Sequence, residues 1–463
     1  MQLTFYGATQ QVTGSMFLLE INHYRMLIDC GSDLENQQIN NSSFPFAPHE
    51  IDIVLLTHAH IDHSGQLPEL LKQGYRGQIL CTAPTMELAG ILLQDKLSLE
   101  SKKINRLKNR TYRYAHRTAE IMARADNLLK NTMERFVPIS YNKPFAIRDD
   151  ILVTFIPSGH LLGAASIYIQ TFENGTEKTI LFSGDVGRKN YPLLCNPQPV
   201  PPAQYLVCES TYGAQTHEHI EAAEDYLKRI IYETCVQIPG RLIIPAFSIG
   251  RIQSLLFTLH KLHLQGQLPR IKIFTDSPMA EMCAKLYEKY LHLLNSEAQH
   301  IYNQRHSLFD FENMFYIQTP QSSRLISNYH EPCIILSSSG MIAGGRVMHH
   351  ISKNIRNAYS TILIVGYCAE GTIGEKLCSG TKYIRIDKKT YPVEARMEKT
   401  DIYSAHADKH ELMEFIKQQS PGSLKKIFLV HGDMKNINAF RKTILENGYS
   451  NVETPLPYTS YTL

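Results

Sequence analysis

The sequence predicts an α/β protein in two parts, with one α/β domain inserted into another. Short apolar runs alternate with helical patterns along most of the chain. At 463 residues the chain is too long for one ordinary core. The strand-then-helix rhythm is most regular over residues 212–392 and looser on either side.

The opening part, residues 1–211, begins with strand-like pieces at LTFYG, SMFLLEI and YRMLIDCG. IDIVLLT follows, then a long polar, helical stretch over 85–135, then ILVTFIPSG, SIYIQTF and KTILFSGD. The proline-rich NPQPVPPAQ reads as a surface connection. From 212 to 392, RLIIPAF, IKIFTDS, CIILSSSG and TILIVGY each precede a helical or glycine-containing stretch, the signature of parallel β–α units. Residues 393–463 hold two more strand candidates, KTDIYSA and KKIFLV. They are too few for a third domain, so this segment is expected to close the first.

Composition narrows the class. Hydrophobic residues make up 43% and charged residues 20%, as in a soluble globular protein. The net charge of +3 does not by itself announce a nucleic-acid binder, so any phosphate-binding surface must come from local clustering. Nine scattered cysteines without a CxxC pair argue against a disulfide framework and against a thiolate zinc site, and favour a reducing cytoplasm. The start MQLTFYGATQQVTGS lacks a basic, apolar leader, and no run of about twenty apolar residues predicts a membrane span.

The chemistry concentrates in LLTHAHIDHSG. His58, His60, Asp62 and His63 fall within six positions, directly after an apolar run and before the helical GQLPELLKQG. Imidazole and carboxylate suit zinc and similar divalent ions, and four such donors so closely spaced outweigh a surface loop with incidental histidines. The pattern recurs: Asp29, His160, Asp185, Glu209, His406 and His431 each end an apolar, strand-like run. Singly, Asp29 and Asp185 read equally well as turn residues, and His160 and His431 as caps or loop polar groups. Together they favour a site beyond strand C-terminal ends, where open α/β sheets gather ligands.

These residues carry a family resemblance. THAHIDHSG resembles the HxHxDH motif of the metallo-β-lactamase fold, and ESTYG, SAHAD and HGD resemble motifs A, B and C of its β-CASP branch of nucleases. IPAFSIGRIQ, SSSGMIAGGR and IVGYCAEGTIG look like internal blocks of the subgroup related to the endonuclease subunit of the cleavage and polyadenylation specificity factor and its short prokaryotic relatives. The resemblance implies an αββα sandwich with an inserted β-CASP domain. It implies two Zn2+ per chain, with Mn2+ as the alternative: one held by His58, His60 and His160, the other by Asp62, His63 and His431, with Asp185 bridging. Asp29 would orient ligands, Asp62 would take a proton from the attacking water, and His406, oriented by Glu209, would serve the leaving 3′ oxygen. The reaction implied is hydrolysis of RNA by a two-metal-activated hydroxide, leaving 5′-phosphate and 3′-hydroxyl ends. Histidine at motif C, His431, favours RNA over DNA, and single-stranded RNA is the expected partner. A DNA nuclease, or a thioester or lactone hydrolase on the same centre, is the alternative, and a homodimer is left open. No added N-terminal RNA-binding domain or long C-terminal domain is expected.

Two loops are candidates for gripping substrate. SIGR offers Ser248 and Arg251, and SSSGMIAGGR offers Ser338, Ser339, Gly340, Gly345 and Arg346. Small residues between a strand and a helix let backbone N–H groups approach an anion, although they equally make a tight turn. The resemblance tips these loops toward a nucleic-acid groove between the domains. The stretch SKKINRLKNRTYRYAHR interleaves basic residues with tyrosines, and reads as an RNA contact or, somewhat better, as a solvated helix face.

Overall fold

The computed structural model describes residues 1–33, 43–108, 115–173, 175–218, 223–368 and 371–463, without the side chains of 103–108 and 115–118. The chain divides into two compact units. The first comprises Met1–Lys189, Asn196–Thr216 and His406–Leu463, and the second Asn190–Cys195 and His217–Ala405.

The first unit is built on two seven-stranded sheets. One runs, in spatial order, Thr459–Thr462, Gln2–Phe5, Phe17–Ile21, Tyr24–Ile28, Ile53–Leu55, Gln78–Cys81 and Phe136–Pro138. The other runs Val452–Glu453, Lys426–Val430, Tyr205–Glu209, Thr176–Phe182, Ala165–Glu173, Ile151–Pro157 and Phe145–Arg148. Alternation along the strands turns Leu3, Phe5, Phe17, Leu19, Phe155, Ile167, Phe182 and Phe428 into one core between the sheets. Phe17 stacks on Phe182 at 6.3 Å and Phe5 meets Phe428 at 5.1 Å between ring centroids. On the outer face of the second sheet, Leu206, Cys208 and Leu429 pack with Leu412 and Phe415 of helix Lys409–Lys417 and with Ile437 and Phe440 of helix Met434–Glu446. Helices Leu67–Lys72, Ala83–Lys108 and Ala115–Met133 belong to the first sheet's half. Two sheets clad by helices make the expected αββα architecture.

Parallel pairing fixes where the site lies. Tyr24–Ile28 pairs parallel with Ile53–Leu55, and Thr176–Phe182, Tyr205–Glu209 and Lys426–Val430 form a parallel trio. Their carboxyl ends therefore share an edge within each sheet. The residues that follow are Asp29, the 56–63 loop, Asp185 and His431, while Glu209 ends its own strand.

The second unit holds a six-stranded, all-parallel sheet in the order Met314–Tyr316, Lys272–Asp276, Cys333–Ser337, Arg241–Pro245, Thr361–Val365 and Arg396–Thr400. Helices such as Arg251–Leu264, Pro278–Lys289 and Val347–Asn354 connect its strands, as the β–α rhythm predicts. The last strand departs from the sequence reading. KTDIYSA was expected to return to the first domain, but Arg396–Thr400 pairs with Thr361–Val365, and 401–405 is not strand. An isolated strand pattern does not say which sheet edge it will join.

Within 101–117, residues 109–114 and the side chains of 103–117 lie outside the described residues; its first part continues helix Ala83–Lys108. Among the described residues, no helix is long and apolar enough to cross a membrane.

Candidate metal centre

The short helix Ile61–Ser64 follows strand Ile53–Leu55 and its loop. This turn puts His58 and His60 before the helix and Asp62 and His63 within it, so one loop feeds two clusters. In the first, His58, His60, His160 and Asp185 offer ligand atoms that all lie within 4.8 Å of one another. His58 Nε2 is 3.1 Å from His60 Nδ1, and His160 Nε2 is 3.3 Å from it. In the second, His63 Nε2 is 3.3 Å from His431 Nε2, which is 3.5 Å from Asp62 Oδ2. Donors about 2.0–2.1 Å from a tetrahedral ion stand roughly 3.3 Å apart, so these spacings match shared coordination.

Asp185 joins the clusters with opposite oxygens. Oδ2 lies 3.5 Å from His58 Nε2 and 3.4 Å from His160 Nε2. Oδ1 lies 3.5 Å from His63 Nε2 and 3.6 Å from His431 Nδ1. Oδ1 is buried and accepts no hydrogen bond among the described residues. A buried carboxylate oxygen without a partner is costly, and a cation beside it removes that cost. The residues therefore fit a dinuclear metal site.

The electrostatics divide the donors into two kinds. Burial and the neighbouring histidines, His63 first for His58 and His406 first for His160, hold both imidazoles well below their usual range, in the neutral form that binds metal. Burial acts to raise Asp62, but the His431 hydrogen bond and the charges of His63, His431 and His60 outweigh it and keep the carboxylate ionised. Burial acts to lower His63 and His431, yet the carboxylates raise both, Asp185 and Asp29 taking His63 to about 10, so a bound cation would have to displace their protons.

Asp29 sets the orientation of His63. Its Oδ2 is 2.7 Å from His63 Nδ1, and its Oδ1 accepts from Thr57 N at 2.8 Å. Thr57 Oγ1 also contacts His58 Nδ1 at 3.2 Å, and Thr211 Oγ1 lies 2.9 Å from His431 Nδ1. Thr57 and Thr211 stand inside the stretches THAHIDHSG and ESTYG, but no spacing marks either as a partner of a ligand. Asp29 and His431 both adopt left-handed backbone, with φ of 58° and 52°. Non-glycine residues hold that conformation where surrounding structure dictates it, often at functional sites.

The third group is Asp185, Glu209 and His406. Glu209 Oε1 accepts from Val186 N at 2.6 Å and is 3.4 Å from His406 Nδ1. His406 Nδ1 is 3.9 Å from Asp185 Oδ2. His406 follows a turn rather than a strand and is bridged to Gly187. At 17% side-chain exposure it is more open than His58, His160 or Glu209.

The candidate substrate loops lie in the second unit. Ser248 and Ser338 follow neighbouring parallel strands whose ends pair Pro245 with Ser337. Ser248 Oγ is 2.9 Å from Ser277 Oγ. Gly345, at φ 80°, lets the loop turn back so that Val347 N reaches Ser338 O at 3.2 Å, and Ser339 Oγ accepts from Ala343 N at 3.0 Å. Gly340 packs beside Phe247, which a Cβ would approach to 3.1 Å. Arg251 donates to Val365 O, and its guanidinium lies 5.5 Å from the centre of the Phe247 ring. Arg346 pairs with buried Asp276 at 2.7 Å and donates to Ile317 O and Gln318 O at 2.8 and 2.6 Å. Both arginines thus have structural work. Asp276, which also binds His350 at 2.7 Å, organises this sheet end and was not singled out by the sequence reading.

Three family descriptions match the chain: a metallo-beta-lactamase superfamily domain over residues 18–186, a Beta-Casp domain over 252–377, and a Zn-dependent metallo-hydrolase RNA specificity domain over 390–455. A ribonuclease of Thermus thermophilus is 29% identical over 97% of this chain and 97% of its own length. The transcription termination factor FttA of Methanosarcina mazei is 28% identical over 94% of this chain and 67% of its own length. A solved structure of a protein of unknown function from Enterococcus faecalis shares the fold, with a TM-score of 0.53 at 12% identity, covering 100% of this chain and 99% of that one.

Proposed function

We propose, because this chain belongs to the β-CASP family of metallo-β-lactamase-fold proteins, that it is a metal-dependent ribonuclease. The observation that carries the reading is Asp185, whose two carboxylate oxygens face two separate sets of histidines. His58, His60 and His160 would hold one ion and Asp62, His63 and His431 the other, with Asp185 shared. Zinc fits the donor set, and Mn2+ is the alternative. When bound, two such ions supply Lewis acidity toward water and toward the phosphoryl oxygens.

The chain's own residues do the proton work. Asp62, kept ionised by His431 and its neighbours, accepts a proton from the attacking water. Glu209 holds His406 through Nδ1, which leaves Nε2 to serve as the proton donor to the leaving 3′ oxygen. The products are a 5′-phosphate and a 3′-hydroxyl. Ser248, Arg251, Ser338, Ser339, Gly340, Gly345 and Arg346 are proposed to frame the single-stranded RNA, directly or by holding the loops that do.

The test is cleavage of end-labelled single-stranded RNA by the full chain after chelation and after return of Zn2+ or Mn2+. We expect activity only with metal and its loss in His60→Ala. Products ending in 2′,3′-cyclic phosphate would exclude water as the nucleophile. Turnover of a thioester or of DNA in preference to RNA would place the centre in another hydrolase class.

A further inference from the structure

The second unit carries a pair of thiols that the proposed nuclease chemistry does not use. Cys368 follows strand Thr361–Val365, and Cys378 ends helix Ile373–Cys378. Cys368 Sγ lies against Gly374, where an added Cβ would come within 2.6 Å of it. Gly374 and Cys378 are four residues apart on that helix and so share a face. The Cys368 thiol therefore lies against the helix face that carries Cys378. Cys378 is exposed and Cys368 half-buried, whereas Cys30, Cys81, Cys208, Cys235, Cys283 and Cys333 are buried. Gly374 N also donates to Met341 O at 3.1 Å, and Arg251 docks on Val365 O, so the pair stands beside both candidate substrate loops.

We propose that Cys368 and Cys378 are a thiol-modification site that forms a reversible intramolecular disulfide by exchange with small-molecule disulfides such as oxidised glutathione. The neighbouring Cys368 thiol lowers Cys378 to about 7; burial opposes this and the Lys399 charge assists it. The Cys378 thiol, followed by burial, raises Cys368. Exposed Cys378 is therefore the attacking thiolate and half-buried Cys368 the resolving thiol, the arrangement of redox-responsive cysteines. Cys378 attacks one sulfur of the small disulfide, forming a mixed disulfide and releasing one glutathione thiolate. Cys368 gives its proton to solvent and attacks Cys378 Sγ, releasing the second glutathione thiolate. Two protein thiols are oxidised and one small disulfide is reduced to two thiols. The new bond ties the end of a sheet strand to the helix that touches Met341.

The experiment treats the native full chain with oxidised glutathione at pH 7, quenches by alkylation and maps the peptides by mass spectrometry. The expected product is a Cys368–Cys378 disulfide that dithiothreitol reverses. Cys378 should react at least about threefold faster than Cys195, the other exposed thiol, which burial raises: the larger thiolate fraction outweighs the lower nucleophilicity. Cys368→Ser should stop at glutathione on Cys378, and Cys378→Ser should leave Cys368 unmodified. A mixed disulfide persisting on wild-type Cys378, Cys195 reacting first, or Cys368 oxidising as fast in Cys378→Ser would overturn the proposal.

Discussion

The Asp29 carboxylate holds His63 Nδ1 at 2.7 Å, which aims His63 Nε2 at Asp185 and His431. Groups that fix a ligand's orientation and basicity usually carry about 10–100-fold in metal affinity. Asp29→Asn keeps the shape and the Thr57 contact but loses the charge. It should weaken metal retention by that factor while the fold persists, as read by competition with a calibrated chelator and by circular dichroism. Unchanged affinity would remove Asp29 from the centre's support.

Glu209 and His406 make a separable prediction. His406→Ala should lower kcat on RNA by about 10²–10⁴-fold, the usual worth of a positioned proton donor, and leave metal content unchanged. Glu209→Gln should lower kcat less, because the amide oxygen can still accept from Val186 N. Metal content falling in step with activity in His406→Ala would make His406 a ligand instead.

Gly184 precedes Asp185 with φ of 55°, and a Cβ there would meet Ala165 O at 2.9 Å and Thr57 Cβ at 3.0 Å. Gly184→Ala should cost about 1–3 kcal/mol in strain and shift the bridging carboxylate. Both thermal stability and metal content should fall. A variant of full stability and full metal loading would show that the turn tolerates a side chain.

Asp276 gives a pH-dependent test in the second unit. Burial acts to raise its pKa, but the hydrogen bonds from His350, Ser323 and Arg346 prevail and lower it. A lowered folded-state pKa means that the stabilisation is present above the unfolded value of about 4 and is lost as pH falls through the folded one. Asp276→Asn should therefore be markedly less stable than wild type at pH 7, and the gap should close below about pH 4. Urea melts at both pH values check this, and a gap independent of pH would contradict it.

Arg346→Gln leaves Asp276 short of one charged partner, so it should lower the urea midpoint as well as RNA affinity. A loss of affinity at unchanged stability would instead make Arg346 a direct RNA contact.

The sequence by itself determined the donors. His58, His60, Asp62 and His63 fall within six positions, and Asp29, His160, Asp185 and His431 each stand just past an apolar strand, at the carboxyl ends of strands in the two sheets. The β–α rhythm of the second unit was equally legible, because its strands are short apolar runs followed by helices. Tertiary structure alone decided the rest. That Asp185 faces the two clusters with different oxygens depends on contacts with residues as far off in sequence as His63 and His431. The roles of Thr57, Thr211 and Asp276 are hydrogen bonds made through space, with no spacing to announce them. Strand Arg396–Thr400 joined the second sheet because an edge with open hydrogen-bonding groups was available there, and local sequence does not encode which edge a strand will find.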